Sequence, residues 1–120
     1  MQSHTTRTVL VIEDNDLVRD VIGAALEADG YETIQVCSGE AALDVLIDGP
    51  KLDALVTDIN VPGALSGWAI AQWFSALHPG RPVVYASGGA ADRTRQVDNS
   101  VFIAKPFRPA QLVAAIGALA

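Results

Sequence analysis

Four short stretches of this 120-residue chain carry side chains able to do chemistry. "VIEDND" holds Glu13 and Asp14. "ALVTDINVPG" ends an apolar run in Asp58, with Pro62 and Gly63 close behind. "YASGG" presents Ser87, Gly88 and Gly89, and "AKPF" presents Lys105 and Pro106. An acid at the mouth of a buried strand is costly unless something pairs with it. Three carboxylates gathered at one place repel, which raises at least one pKa or demands a cation. Lys105 offers one positive charge and a hard divalent ion offers two. Mg²⁺ takes oxygen ligands, keeps several waters and shares its shell with phosphate, so carboxylates, a backbone carbonyl and a phosphoryl oxygen would suit it. A carboxylate such as Asp58 can also act as a nucleophile and form an aspartyl-phosphate. A metal, a lysine, a hydroxyl and backbone N–H groups would then stabilise charge on the transferring group. Each residue alone has a plainer reading: Glu13-Asp14 as an acidic turn with Asp14 or Asp16 as a helix cap, Asp58 as an N-cap, Ser87 as a turn residue, Lys105 as a solvated strand end.

The elements that must position these residues follow from hydrophobic pattern. "TVLVIE" (8–13), "DALVT" (53–57), "PVVYAS" (82–87) and "VFIAK" (101–105) are apolar almost throughout, as strands buried on both faces are. "YETIQV" (31–36) alternates more and belongs nearer an edge. Asn15 or Asp16 can cap a helix through "LVRDVIGAALEAD", with Gly30 as its stop. Ser38 opens "SGEAALDVLI" and Ser66 precedes "GWAIAQWFSALH", which Pro79-Gly80 stops. In that third helix Ile70, Phe74 and Leu77 form the predicted core stripe, with Trp68 alongside and Trp73 a covering side chain at its edge. "GGAADRTRQVDN" has few apolar anchors and predicts a poor fourth helix. Pro109 suits the start of a last helix, "AQLVAAIGALA". This order is β-α repeated five times, and right-handed crossovers make it a three-layer α/β sandwich. Sites in such sheets form beyond the carboxyl ends of the strands, which is where all four stretches fall.

Composition narrows the function. Half the residues are apolar, enough for one core, and no linker or repeat divides the chain, so 1–120 reads as one domain. Eight basic residues against fourteen acidic give a net charge of −6, which argues against a nucleic-acid surface. Cys37 is alone, so there is neither a disulfide framework nor a cysteine zinc site. "VLVI" is too short for a signal core or membrane span, and a soluble cytoplasmic protein is expected. His4 and His78 lack a metal-type neighbour pattern and are expected to be solvent-exposed.

Taken together, "VIEDND", "VTDINVPG", "YASGG" and "AKPF" resemble the receiver domains of two-component response regulators, similar to the single-domain chemotaxis regulator. The resemblance spans about residues 7 to 119. It implies a flavodoxin-like, doubly wound, five-stranded parallel sheet of order 2-1-3-4-5, with a short or irregular fourth helix. It implies that Asp58 is the phosphoacceptor, that Glu13 and Asp14 hold Mg²⁺ together with Asp58 and the Asn60 carbonyl, and that Lys105 pairs with a phosphoryl oxygen. Ile59, Asn60 and Gly88 would also line the phosphoryl group, and Pro106 would follow a cis bond. Ser87 stands where a hydroxyl moves onto the phosphoryl group, and Phe102 where an aromatic turns inward on activation; a plain core role for Phe102 stays open. Phosphorylation adds charge and acceptor oxygens, and so biases a two-state element.

The resemblance also implies partners: a sensor histidine kinase or histidine phosphotransfer protein, and a downstream protein, with a homodimer possible. Leu17, Val18, Pro106 and Phe107 would form the apolar contact with the histidine donor, although Val18 and Phe107 read equally as core. By the family's measure the "DINVPGALSG" loop carries one extra residue. The eighteen positions from Ser87 to Lys105 are too few for a full fourth helix. The small Gly88 leaves the site open, which favours fast phosphoryl turnover. A sink or shuttle receiver from a hybrid kinase is the nearest alternative. A small aspartate-nucleophile phosphohydrolase wants a second acid two residues after the nucleophile, where this chain has Asn60. An FMN binder would need a phosphate cradle where "EDND" stands, and the P-loop lysine motif is missing.

Overall fold

The computed structural model describes residues 6–120; the expectation for His4 lies outside them. Five strands alternate with four helices: β1 (Thr8–Ile12), α1 (Asp16–Ala28), β2 (Glu32–Val36), α2 (Gly39–Asp48), β3 (Ala54–Thr57), α3 (Gly67–Leu77), β4 (Val83–Ser87), β5 (Ser100–Ala104) and α4 (Pro109–Leu119). The strands form one parallel sheet of order β2-β1-β3-β4-β5. Alternation along β1 divides the core. Leu10 and Ile12 pack with Leu55, Phe74 and Tyr85 under α2 and α3. Val9 and Val11 pack with Ile22, Leu26, Val84 and Ile116 under α1 and α4.

The helix starts are built by side chains that satisfy otherwise unpaired N–H groups. Asn15, rather than Asp16, caps α1 by accepting from Val18 N at 3.0 Å. Ser38 accepts from Ala41 N at 3.1 Å and Ser66 from Ala69 N at 3.3 Å. Pro109 opens α4, where the Gln111 side chain accepts from Arg108 N. Asp29 ends α1, and Gly30 follows it with φ +94°.

Four expectations need correction. No helix lies between β4 and β5: residues 88–99 form turns, and Asp92 Oδ1 accepts from Thr94 N and Thr94 Oγ1 at 3.0 and 2.6 Å, a local turn that competes with helix. The sheet therefore has four helices, not five. Second, β5 is an edge strand and only half-buried, because no helix covers its outer side. Third, the α3 core stripe is Gly67, Ile70, Ala71 and Phe74 with Trp68, while Leu77 is 49 % exposed. Fourth, His78 occupies the inner position after Phe74: it is half-buried, with its ring centroid 5.2 Å from that of Phe74. Trp73, at the edge of the stripe, is about half exposed.

Candidate functional site

Sheet pairing brings the chemical residues together. The Asp58 N–H donates to the Ile12 carbonyl (3.0 Å), placing the residue after β3 beside the one after β1. The Lys105 N–H donates to the Ser87 carbonyl (2.9 Å), tying the ends of β4 and β5. Glu13, Asp58 and Ser87 are buried, whereas Asp14 is exposed at the rim.

Lys105 bridges the acids. Its ammonium lies 2.7 Å from Glu13 Oε1 and 2.8 Å from Asp58 Oδ2. Burial pulls the Lys105 pKa down, but the hydrogen bonds and charges of Asp58 and Glu13 outweigh it and the pKa rises. The second oxygen of each acid is also engaged. Glu13 Oε2 accepts from Asn15 N at 3.0 Å, and Asp58 Oδ1 accepts from Asn60 N at 3.2 Å. Such pairing makes burial of two carboxylates tolerable. Glu13, Asp14 and Asp58 each offer a carboxylate oxygen within 4.8 Å of the others. These three acids outnumber the one ammonium by two charges, the charge of one divalent cation. Three hard oxygen donors at this spacing suit Mg²⁺.

The remaining expected residues divide. Ser87 Oγ accepts from Gly89 N at 3.3 Å and keeps its own hydrogen to donate. A Cβ on Gly89 would sit 3.5 Å from Asn60 Nδ2 and 3.7 Å from Ser87 Oγ, so these three residues gather on one side of Asp58. Gly88 is open, with no neighbour where a Cβ would stand. Ile59 is buried in the α2–α3 core. The Lys105–Pro106 bond is cis. Phe102 pairs in register with Tyr85 and packs, half-buried, on the core that contains it. Leu17, Val18, Pro106 and Phe107 line a cleft of about 510 Å³ beside Lys105, together with Val21 and Pro109. Leu17 is 72 % exposed there, while Val18 and Phe107 also pack on the α1–α4 core.

Two supporting residues were missed in the sequence. Arg19 Nη1 donates to the Glu13 carbonyl at 2.9 Å and Nη2 to Asp16 at 2.6 Å, which holds the acidic turn. The signal for it was an arginine one helical turn beyond Asp16. Tyr85 Oη accepts from Val97 N at 3.1 Å, and burial raises the Tyr85 pKa although this N–H opposes the shift. No local pattern announces that contact.

The fold and this cluster define a doubly wound α/β domain with an acidic, lysine-bridged site at its strand ends, and comparison with known proteins gives its family. The response regulator receiver domain profile matches residues 9–117, and the chain belongs to that family. It is 33% identical over 108 residues to the polar-differentiation response regulator DivK of Brucella ovis, covering 85% of this chain and 86% of that protein. A crystal structure of a response regulator receiver protein from Sinorhizobium medicae superposes with TM-score 0.91 at 32% identity, over 95% of this chain and 94% of that one. The chemotaxis response regulator CheY4 of Vibrio cholerae matches with TM-score 0.84 over 97% and 100% of the two chains; at 19% identity this likeness concerns the fold alone. The chain is thus a phosphoacceptor receiver of two-component signalling, a family of signalling proteins rather than classical enzymes. Receivers bind Mg²⁺ at an acidic pocket and interact with histidine kinases and downstream partners. Among the described residues no helix is long and apolar enough to cross a membrane.

Proposed function

We propose that Asp58 is the residue that accepts the phosphoryl group, from a histidine kinase or histidine phosphotransfer protein in the cytoplasm. The observation that carries this reading is the Lys105 ammonium, held between Glu13 and Asp58 at the strand ends with Asp14 alongside. An Asp58 oxygen attacks phosphorus, the new O–P bond forms, and the donor's N–P bond breaks with its electron pair returning to the imidazole. Asp58 Oδ1 stays oriented by Asn60 N during the approach. The phosphoryl oxygens then become acceptors for Lys105 and for the free hydrogen of the Ser87 hydroxyl. Glu13, Asp14 and Asp58, with the Asn60 carbonyl, would hold Mg²⁺, which when bound draws negative charge off the phosphoryl oxygens.

The apolar cleft of Leu17, Val18, Pro106 and Phe107 suits the docking of the donor beside Lys105. Movement of Ser87 toward the phosphoryl group would pull the Gly88-Gly89 turn, which nothing crowds, and Phe102 would adjust beside Tyr85. Asn60, two residues beyond Asp58, offers no general acid, so steady hydrolysis of phosphate esters is not expected.

The test is incubation with acetyl phosphate and Mg²⁺, read by intact mass. One phosphoryl group is expected on the wild-type chain and none on Asp58→Asn. Uptake by Asp58→Asn equal to wild type would overturn the assignment.

A further inference from the structure

The loop that follows Asp58, residues 59–66, is held from a helix that the phosphoacceptor reading does not use. Its base is closed by the Gly67 N–H donating to the Ile59 carbonyl at 2.9 Å. Its outer part rests on the start of α2. The Leu65 carbonyl lies so close to Gly39 that a Cβ there would overlap it. Glu40, in the first turn of α2, reaches across 24 positions to accept from the Ala64 N–H at 2.8 Å. Gly63, at φ +96°, lays its α-carbon against the same carboxylate, and a side chain there would collide with it. An acid in a helix's first turn is favoured by the N-terminal dipole. Glu40 is therefore a carboxylate at home on α2 whose oxygen is spent on the loop. The loop in turn carries Asn60, whose N–H holds Asp58 Oδ1 and whose amide lies beside Gly89.

We infer that Glu40 is a positioning residue: it latches Gly63 and Ala64 to α2, and so sets Asn60 in place for the cation and the phosphoryl group. Glu40 is not one of the clustered carboxylates and makes no contact with Asp58 or Lys105. Its influence runs through the loop. With the base closed at Ile59–Gly67 and the far side pinned by Glu40, residues 60–62 have little freedom. With the latch gone, the loop keeps its base, the packing of Val61 and Leu65 on the core and the seat of Leu65 on Gly39, and loses the one hydrogen bond that pins Ala64. The inference rests on the Asp58 reading, since it concerns the same site.

The test is Mg²⁺ titration of the whole chain by calorimetry, with thermal unfolding in metal-free buffer as a check on folding. Glu40→Ala is expected to weaken Mg²⁺ binding about three- to tenfold, the worth of about one hydrogen bond. Glu40→Gln, which keeps an acceptor oxygen and loses the charge, is expected to stay within about twofold of wild type, because the latch and not the charge carries the effect. Asp44→Ala removes an equal charge one turn along α2 and is expected to change nothing. An unchanged affinity in Glu40→Ala overturns the inference. So does a loss in Glu40→Gln or Asp44→Ala as large as that in Glu40→Ala, since charge would then be the cause. In both cases Mg²⁺ binding and phosphoryl uptake by wild type leave the Asp58 reading standing. A wild-type chain that binds no Mg²⁺ takes both down.

Discussion

Two loops border Asp58, and they are built in opposite ways. The one after β3 is crowded. A Cβ on Gly67 would overlap the Asp58 carbonyl, one on Gly63 would strike Glu40, and the Leu65 carbonyl presses on Gly39. The one after β4 begins in open space. A Cβ on Gly88 would meet nothing, and one on Gly89 would make only ordinary contacts with Asn60 and Ser87. Its attachments lie at its far end, where Tyr85 Oη accepts from Val97 N and the Arg95 guanidinium sits 5.4 Å from the centre of the Trp68 ring. A segment with few buried contacts opens at low free energy, and a packed one does not. The Asp58 side is thus packed in place, while the start of the loop after Ser87 has little to hold it.

The same kind of substitution should therefore have opposite results on the two sides. Gly67→Ala sets a methyl group against backbone that cannot move without shifting Asp58, and is expected to cost about 3 kcal/mol in urea unfolding and to abolish phosphoryl uptake. A cost below about 1 kcal/mol would mean that the loop after Asp58 is not rigid. Tyr85→Phe removes the hydroxyl that anchors the far end of 88–99 and is expected to cost about 1 kcal/mol. It should also speed hydrogen exchange at Val97 while leaving Ala64 unchanged. Equal acceleration at both amides would erase the distinction between the loops. Gly88→Ala meets no atom and has no left-handed backbone to strain, so it is expected to stabilise by about 0.4–1 kcal/mol through the unfolded chain. A loss of stability there would show that the open turn is constrained after all.

The asymmetry was only half legible in the sequence. Strand ends were, because a buried parallel strand is a plain apolar run, and each run stopped at a residue with chemistry. That alone places Glu13, Asp58, Ser87 and Lys105 on one rim. The missing helix was signalled by Gly88-Gly89 and sparse apolar anchors, but weak helix and no helix look alike in composition. β5 was misread as covered on both sides because "VFIAK" carries no mark of an edge; what exposes it is the absence of that helix. Leu77 and His78 were exchanged for a geometric reason. The inner positions of α3 step through 67, 70, 71 and 74, and the next is 78, so the imidazole turns inward and the leucine outward. Glu40 is legible as an acid in the first turn of α2, but its contact with the loop is not, since its partner lies 24 residues away in a loop with no periodicity.

His78 offers the mildest probe, and it reports on the crowded side, since α3 runs from the loop after Asp58 to this imidazole. Burial, then Arg81 and Lys51, hold its pKa below the ordinary 6.5, with Asp53 opposing. The folded state thus prefers neutral His78, and between the two pKa values the unfolded chain binds more protons. Stability from this group is complete above pH 6.5 and declines as pH falls toward the folded value. Because His78 packs on Phe74, in the core shared with Ile59 and Tyr85, the loss should appear in global unfolding. Urea unfolding at pH 7.5 and 5.5 (about one pH unit either side of the ordinary value) is expected to show a larger drop for wild type than for His78→Gln. If instead the acid-sensitive step were a local opening of 88–99, both chains would lose the same amount, and the firm side would not extend along α3 to its C-terminal end.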